Sequence, residues 1–255
     1  GTYKCSIETD SAPTIALVGL TQGNITNENR VGNVTTFDIN ITGGTAFKYQ
    51  VTNTDGGVTP EGTGARNIKI MYPGLELDYA GIYNPKYKAM YSIGKTGTIR
   101  CMDLQDTNSN LTKVWNDRVN GDMKCQMTRD IGVSIEHQVA LANETNNDLW
   151  TNIPHMVDDT YIENTVNYIK ANLNANLNCY FEYTNEAWNE SNAFRQSGWI
   201  KQDSVSNPRD LAFDGETNEY YIQWRNYAWH MMHMKEIIAT NWAGEINGRA
   251  RGVMG

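Results

Sequence analysis

The feature that most constrains this 255-residue chain is a change of pattern near residue 65. Before it, runs such as TIALVGL, TTFDINITG and AFKYQVTNT are rich in Val, Ile, Thr and Phe. They are separated by Gly, Asn and Asp turn signals, which predicts a small antiparallel β-sandwich over residues 1–65. After it, short apolar runs alternate with helical patterns. That alternation is the signature of βα units around a parallel sheet, so residues 66–255 are expected to form a second domain of α/β class.

The βα units can be counted. NIKIMYPG (67–74) reads as a first parallel strand, NPKYKAMYSI (84–93) as a short helix and TIRCMDL (98–104) as a second strand. A helix follows over about 130–145, then a third strand in LWTNIPH (149–155) and a helix from about 159 to 173, with Asp158 or Asp159 as its N-cap. CYFEYTNE (179–186) is the fourth strand, a long helix covers roughly 217–241, and ARGVMG (250–255) opens a fifth strand. These units correspond to the first half of a (β/α)8 TIM-type barrel, an architecture of about 250 residues. A parallel sheet of four or five strands leaves open edges. The expectation is that the chain is truncated and the natural polypeptide continues past Gly255, or that another copy or a partner completes the sheet.

Charge and hydropathy narrow the partners. A formal net charge of -8 and a pI near 5.0 disfavour nucleic acid. No apolar run reaches the roughly 20 residues of a membrane span, and GTYKCSIETD carries neither an initiator Met nor a signal-peptide core. A processed or omitted N-terminus is expected. Six Asn-x-Ser/Thr sequons, at Asn24, Asn33, Asn40, Asn110, Asn143 and Asn189, are glycan acceptors in a secreted chain, and three of them cluster within the first 42 residues. The expected location is extracellular. The cysteines Cys5, Cys101, Cys125 and Cys179 lack C-x-x-C spacing, so no metal and no cofactor are expected. An even count permits disulfides without requiring them, and Cys101 and Cys179, in interior strands, equally suit buried thiols.

Active sites of this architecture sit at the carboxyl ends of the strands. There the chain reads FEYTNEAWN (181–189), which resembles the fourth-strand motif of clan A glycoside hydrolases, where an Asn-Glu pair ends the strand. The resemblance implies that Glu186 is the acid/base that protonates the departing glycosidic oxygen, and that Asn185 hydrogen-bonds the sugar 2-hydroxyl. IRCMDLQDTNSNLTKVWNDR (99–118), VALANETNNDLWTNIPHMVDD (139–159) and NIKIMYPG followed by YNPKYKAM extend it. Together they resemble a group of secreted bacterial proteins with a β-sandwich ahead of a cellulase-like barrel, which read R-F-M-D-W, I-P-H-x-x-D-D and E-Y-S-N-E-V-W-N. The chain departs at Cys101 for Phe, Leu104 for Trp and Ala187 for Val, and the lost Trp removes a sugar-stacking surface.

A retaining hydrolase needs a second carboxylate about 5 to 5.5 Å from the first. In clan A it is a Glu at the end of the seventh strand, and no such strand occurs in this chain. Asp103, at the end of the second strand, is a conceivable substitute but is expected to position substrate or to pair with Arg100 or His155. His155 either bonds sugar or caps a loop. Trp150 and Trp188, with Trp115 and Trp199, either stack on sugar rings or fill the core.

His230 and His233 lie one helical turn apart, a spacing that could bind a metal, but no third ligand is evident and packing is favoured. Tyr220, Tyr221, Trp224 and Tyr227 are expected to form the buried stripe of the long helix. Two function classes follow. One is a secreted glycoside hydrolase acting on a β-linked polysaccharide. The other is a catalytically inactive structural or carbohydrate-binding glycoprotein, such as a homo-oligomeric subunit of an extracellular filament or coat.

Overall fold

The structure, a computed structural model, describes residues 1–44, 47–55, 64–92, 97–123, 125–126, 129–207, 209–242 and 248–253. It is mixed α/β and divides into two compact units, Gly1–Asn84 and Pro85–Gly255.

The first unit holds β1 (Thr2–Glu8), β2 (Thr14–Leu17), β3 (Thr21–Val31), β4 (Val34–Gly44), β5 (Tyr49–Thr52) and β6 (Arg66–Ile70). They form a four-stranded antiparallel sheet of order β3-β4-β1-β6 and a two-stranded ribbon β2-β5. Period-two alternation puts Cys5 and Ile7 of β1 and Phe37 and Ile39 of β4 on one face, all at most 3% exposed. Ile15 and Leu17 of β2 and Tyr49 and Val51 of β5 pack against that cluster, so the sheet and the ribbon share one core. Complete burial of such side chains stabilises by about 1.5–3 kcal/mol each.

One expected element changes place. The NIKIMYPG run, read as the first parallel strand, supplies β6, which pairs antiparallel with β1 through Cys5↔Ile70 and Ser6↔Lys69. Arg66 bonds Glu8 and Asp10, and Asn67 donates to Glu8. The physical reason is burial. Ile68 is 50% and Ile70 38% exposed, as an edge strand permits, whereas interior strands of a parallel sheet are covered on both faces. The compositional change near residue 65 therefore falls inside the first unit.

The second unit begins with α1 (Pro85–Ser92), and continues through β7 (Thr98–Arg100), a 3-10 turn at Trp115–Asp117, α2 (Ile135–Thr145), β8 (Asp148–Ile153) and α3 (Asp159–Asn172). β9 (Cys179–Tyr183), α4 (Arg195–Ser206), α5 (Glu219–Asn241) and β10 (Ala250–Val253) complete it. The four strands make a parallel sheet in chain order, β7-β8-β9-β10. Ile93, at the end of the first expected helix, and the last two residues of ARGVMG lie outside the described residues.

Local chemistry sets the helix starts. Asp158 accepts the Tyr161 amide at 2.8 Å to cap α3, Ser134 accepts that of His137 to cap α2, and Asn218 accepts that of Tyr220 to cap α5. Sequence patterning passes over α4, whose Gly198 and serines weaken its helical signal and whose N-cap, Phe194, makes no side-chain cap. It also misplaces the buried stripe of α5. Tyr220 and Tyr221 are 46% and 53% exposed, and the buried face is Gln223, Asn226, Tyr227, Met234, Ile237 and Ile238. Adjacent residues on a helix diverge by roughly 100°, so Tyr220 and Tyr221 cannot share a stripe.

Cys5, Cys101 and Cys179 are buried thiols outside any disulfide. Burial pushes Cys101 up to about 12. Among the described residues no helix is long and apolar enough to cross a membrane.

Candidate functional site

The carboxyl ends of β7, β8 and β9 bring three of the sequence-predicted residues, Arg100, Trp150 and Asn185, together around Glu182, a carboxylate outside the expected set. Along β9 the pleat sends Phe181 and Tyr183 toward α5, where Phe181 meets Trp242 at 6.3 Å and Tyr183 stacks on His230 at 5.0 Å. Glu182 points to the opposite face, on the side of Trp150 and Arg100, and is fully buried. Parallel register aligns Arg100 with Trp150, Trp150 with Tyr180 and Asn152 with Glu182.

Glu182 is held by three donors. Arg100 donates from Nε at 2.9 Å and from Nη2 at 2.6 Å, a bidentate pair, and Trp150 Nε1 donates at 2.7 Å. Arg100 Nη2 also donates to Asn185 Oδ1 at 2.8 Å. Asn185 is 2% exposed, and its Nδ2 donates to Asn108 Oδ1 at 2.8 Å. Gln196 Nε2 donates to that same Asn108 oxygen and to the Asn185 carbonyl, joining the start of α4 to the site. Burying Glu182 without its donors would cost several kcal/mol; bonded, it and the partly exposed Arg100 form a polar base under the strand ends.

Glu186 follows in a left-handed backbone conformation, φ +36°. For a residue with a Cβ this region is disfavoured by about 1–2 kcal/mol, and such strain concentrates at functional sites. Its Oε2 accepts from Asn189 Nδ2 at 3.0 Å, and its carbonyl accepts the Asn189 amide. Trp188 is 48% exposed.

His155 sits at the end of β8, 2% exposed, edge-on to Trp199 of α4 at 5.6 Å. Its carbonyl accepts the Tyr183 hydroxyl at 2.8 Å. Burial, helped by the Arg195 guanidinium, pushes its imidazole down to about 4, so it is neutral near pH 7. Among the described residues, ten buried side-chain polar atoms have no hydrogen-bond partner, four of them being Asn152 Oδ1, His155 Nδ1 and Thr184 Oγ1 at or just past β8 and β9, and Gln196 Oε1 in α4.

Asp103 is not part of this constellation. Strand β7 ends at Arg100, Gln105 and Thr107 close turns onto Cys101 and Met102, and Asp103 is left exposed. The expected pairing of Asp103 with Arg100 gives way to Glu182 and Asn185. The signal for Glu182 was present: one carboxylate inside an otherwise apolar interior strand requires a cationic or hydrogen-bonding partner, and Arg100 is the strand-end candidate. Asn108 and Gln196 carried no such signal, because a loop and an unrecognised helix deliver them.

The two histidines of α5 diverge. His230 meets Asp203 at 2.8 Å and His233 meets Asp159 at 2.9 Å, so they do not converge on one ion, and no group of three metal-ligating side chains occurs among the described residues. A separate cavity of about 310 Å3, lined by Leu111, Thr112, Asp117, Arg129, Asp130 and Ile131, contains none of the sequence-predicted site residues.

Of the sequons, Asn24 and Asn33 are exposed on the first unit. Asn40 bonds Thr26 and Thr2, and Asn143 bonds Asn172 and Asn174. Asn110 is 1% exposed and donates to the Gln105 and Ile131 carbonyls, a position with no room for a glycan on the folded chain. Asn189 is engaged with Glu186.

The fold and site thus define an α/β protein with a polar, carboxylate-centred cluster at the carboxyl edge of a parallel sheet. Comparison with protein-family models, with curated proteins and with solved structures finds no match to this chain.

Proposed function

We propose that the chain is a glycoside hydrolase-like protein acting on a β-linked polysaccharide, with Glu186 as acid/base and Asn185 as the ligand-binding amide beside it. The observation that carries the reading is the conformation of Glu186: a left-handed, non-glycine residue at the carboxyl end of a parallel strand, next to an Asn anchored by Arg100. On this reading the β7-β8-β9-β10 sheet belongs to a (β/α)8-type barrel and the first unit is an accessory β-sandwich. Trp188 supplies an exposed aromatic face for a sugar ring. Exposed sequons at Asn24 and Asn33 fit a secreted glycoprotein.

The chemistry asked of Glu186 is proton donation to a leaving glycosidic oxygen, and in the retaining course a second carboxylate then attacks the anomeric carbon. Glu182 is committed to Arg100 and Trp150, and Asp103 lies in a turn, so neither is assigned as that nucleophile. The test is reducing-sugar release from β-glucan, xylan and mannan by the protein and by Glu186→Gln. Release by the wild type that falls by about 100-fold or more in the variant supports the assignment, while equal release by both removes Glu186 from the chemistry.

The bond from Asn189 to Glu186 favours a second reading, in which Glu186 closes a turn and the site only binds glycan or serves a structural glycoprotein that assembles into a filament or coat. Its mark is glycan binding or self-association in light scattering, with no release of sugar from any substrate.

A further inference from the structure

We propose that Glu182 is the positioning residue of this site: acting through Arg100, it locks the Asn185 side-chain amide in one orientation, so that the amide hydrogen left over on Nδ2 is offered to a ligand. The argument rests on what each partner is able to do. A guanidinium has donors and no acceptor, so the atom of Asn185 that faces Arg100 Nη2 at 2.8 Å must be the oxygen. The other end of the amide, Nδ2, then faces Asn108 Oδ1 at 2.8 Å.

Asn108 cannot reverse either. Its Oδ1 also receives Gln196 Nε2 at 2.9 Å, and the identity of that nitrogen is itself set by the Asn185 backbone carbonyl, an obligate acceptor, at 2.5 Å. Flipping Asn185 would oppose donor to donor at Arg100 and acceptor to acceptor at Asn108. The arrangement is locked at both ends.

Glu182 is the root of that lock. The Arg100 side chain is long and 37% exposed, and nothing in its own covalent structure holds the guanidinium plane still. Glu182, fully buried, takes two of its nitrogens in a fork, while Trp150 Nε1 also donates to its Oε2 at 2.7 Å and holds the carboxylate in place. One hydrogen of Asn185 Nδ2 goes to Asn108, and the second has no partner among the described residues. A ligand atom placed there must be an acceptor, such as a hydroxyl or carboxylate oxygen. The amide geometry stands on its own; only the nature of the ligand rests on the reading proposed above.

The test is NMR of the side-chain amides of the full chain, with the Asn185 pair assigned by its disappearance in Asn185→Asp. In the wild type one Asn185 hydrogen exchanges slowly with solvent, and Glu186→Gln leaves it unchanged. Glu182→Gln is expected to speed that exchange at least tenfold and to move the pair toward the shift of a free amide, while backbone signals of the first unit stay in place. Arg100→Lys is expected to do the same. It retains the charge partner of Glu182 but loses the Nε bond and the planar fork that hold the donor to Asn185 in one orientation, and it decides the matter if Glu182→Gln does not fold. Slow exchange and an unmoved shift at Asn185 in a folded variant of either kind would overturn the proposal. On any glycan that the wild type cleaves, Glu182→Gln should lower kcat by about 100-fold with KM changed far less. If the wild type cleaves none, the hydrolase reading fails while the exchange result still decides the role of Glu182.

Discussion

Glu182 and His155 show how a buried polar side chain behaves when its surroundings differ. Glu182 is matched by Arg100 and Trp150, so removing the cation leaves a carboxylate buried without a counter-charge. Arg100→Met should therefore destabilise the chain by about 3 kcal/mol in urea unfolding, more than a surface ion pair would. His155 has no such partner among the described residues and is kept neutral, its folded pKa pushed by burial from 6.5 to about 4. The folded chain then binds fewer protons than the unfolded one between those values. The contribution of His155 is complete above about pH 6.5 and is lost as pH falls toward 4. Thermal melts across that window should have a shallower pH slope in His155→Gln. Asp203 runs the other way in origin but has the same sign. Burial raises its carboxyl, yet bonds from Asn226, His230, Arg209 and Asn207 outweigh this and hold it far below the usual range. That stability is present above about pH 4 and disappears under stronger acid, so Asp203→Asn should flatten the most acidic part of the same curve.

Elements in this chain are set by short-range chemistry wherever a residue does one local job. The N-cap of α3 is such a case: Asp158→Ala removes the 2.8 Å bond to the Tyr161 amide and should cost about 1 kcal/mol, read as a lowered melting temperature. Gly132, between the 3-10 turn and α2, has φ +79°, and a Cβ there would lie 2.4 Å from the Gln105 backbone. Gly132→Ala should cost more than the capping variant, because backbone on both sides must shift. The same elements mark where patterning misled. An apolar run as short as NIKIMYPG has no period of its own to distinguish a covered parallel strand from an edge strand, and pairing with β1 decided it.

At the scale of the whole molecule, each unit has its own central strands. Hydrogen exchange read by mass spectrometry should be slowest in β1, β4, β8 and β9, which are paired on both sides, and faster in the edge strands β3, β6, β7 and β10. Equal protection at edge and centre would contradict the strand order. Much of this organisation was legible from the chain alone. The β-rich start, the βα alternation, the boundaries of β8, α3, β9 and α5, and the placement of Asn185 and Glu186 at a strand end follow from period, capping and apolar runs, all of which act over a few residues. Tertiary structure alone decided that β6 joins the antiparallel sheet, that the polar base of the site is Glu182 with Arg100, Asn108 and Gln196, that Asp103 stands apart, and that Asn110 is enclosed. The physical reason is distance along the chain. Arg100 and Glu182 meet across 82 residues and Asn108 and Gln196 across 88, and such contacts depend on sheet register and on a helix with a weak local signal, which no window of sequence contains.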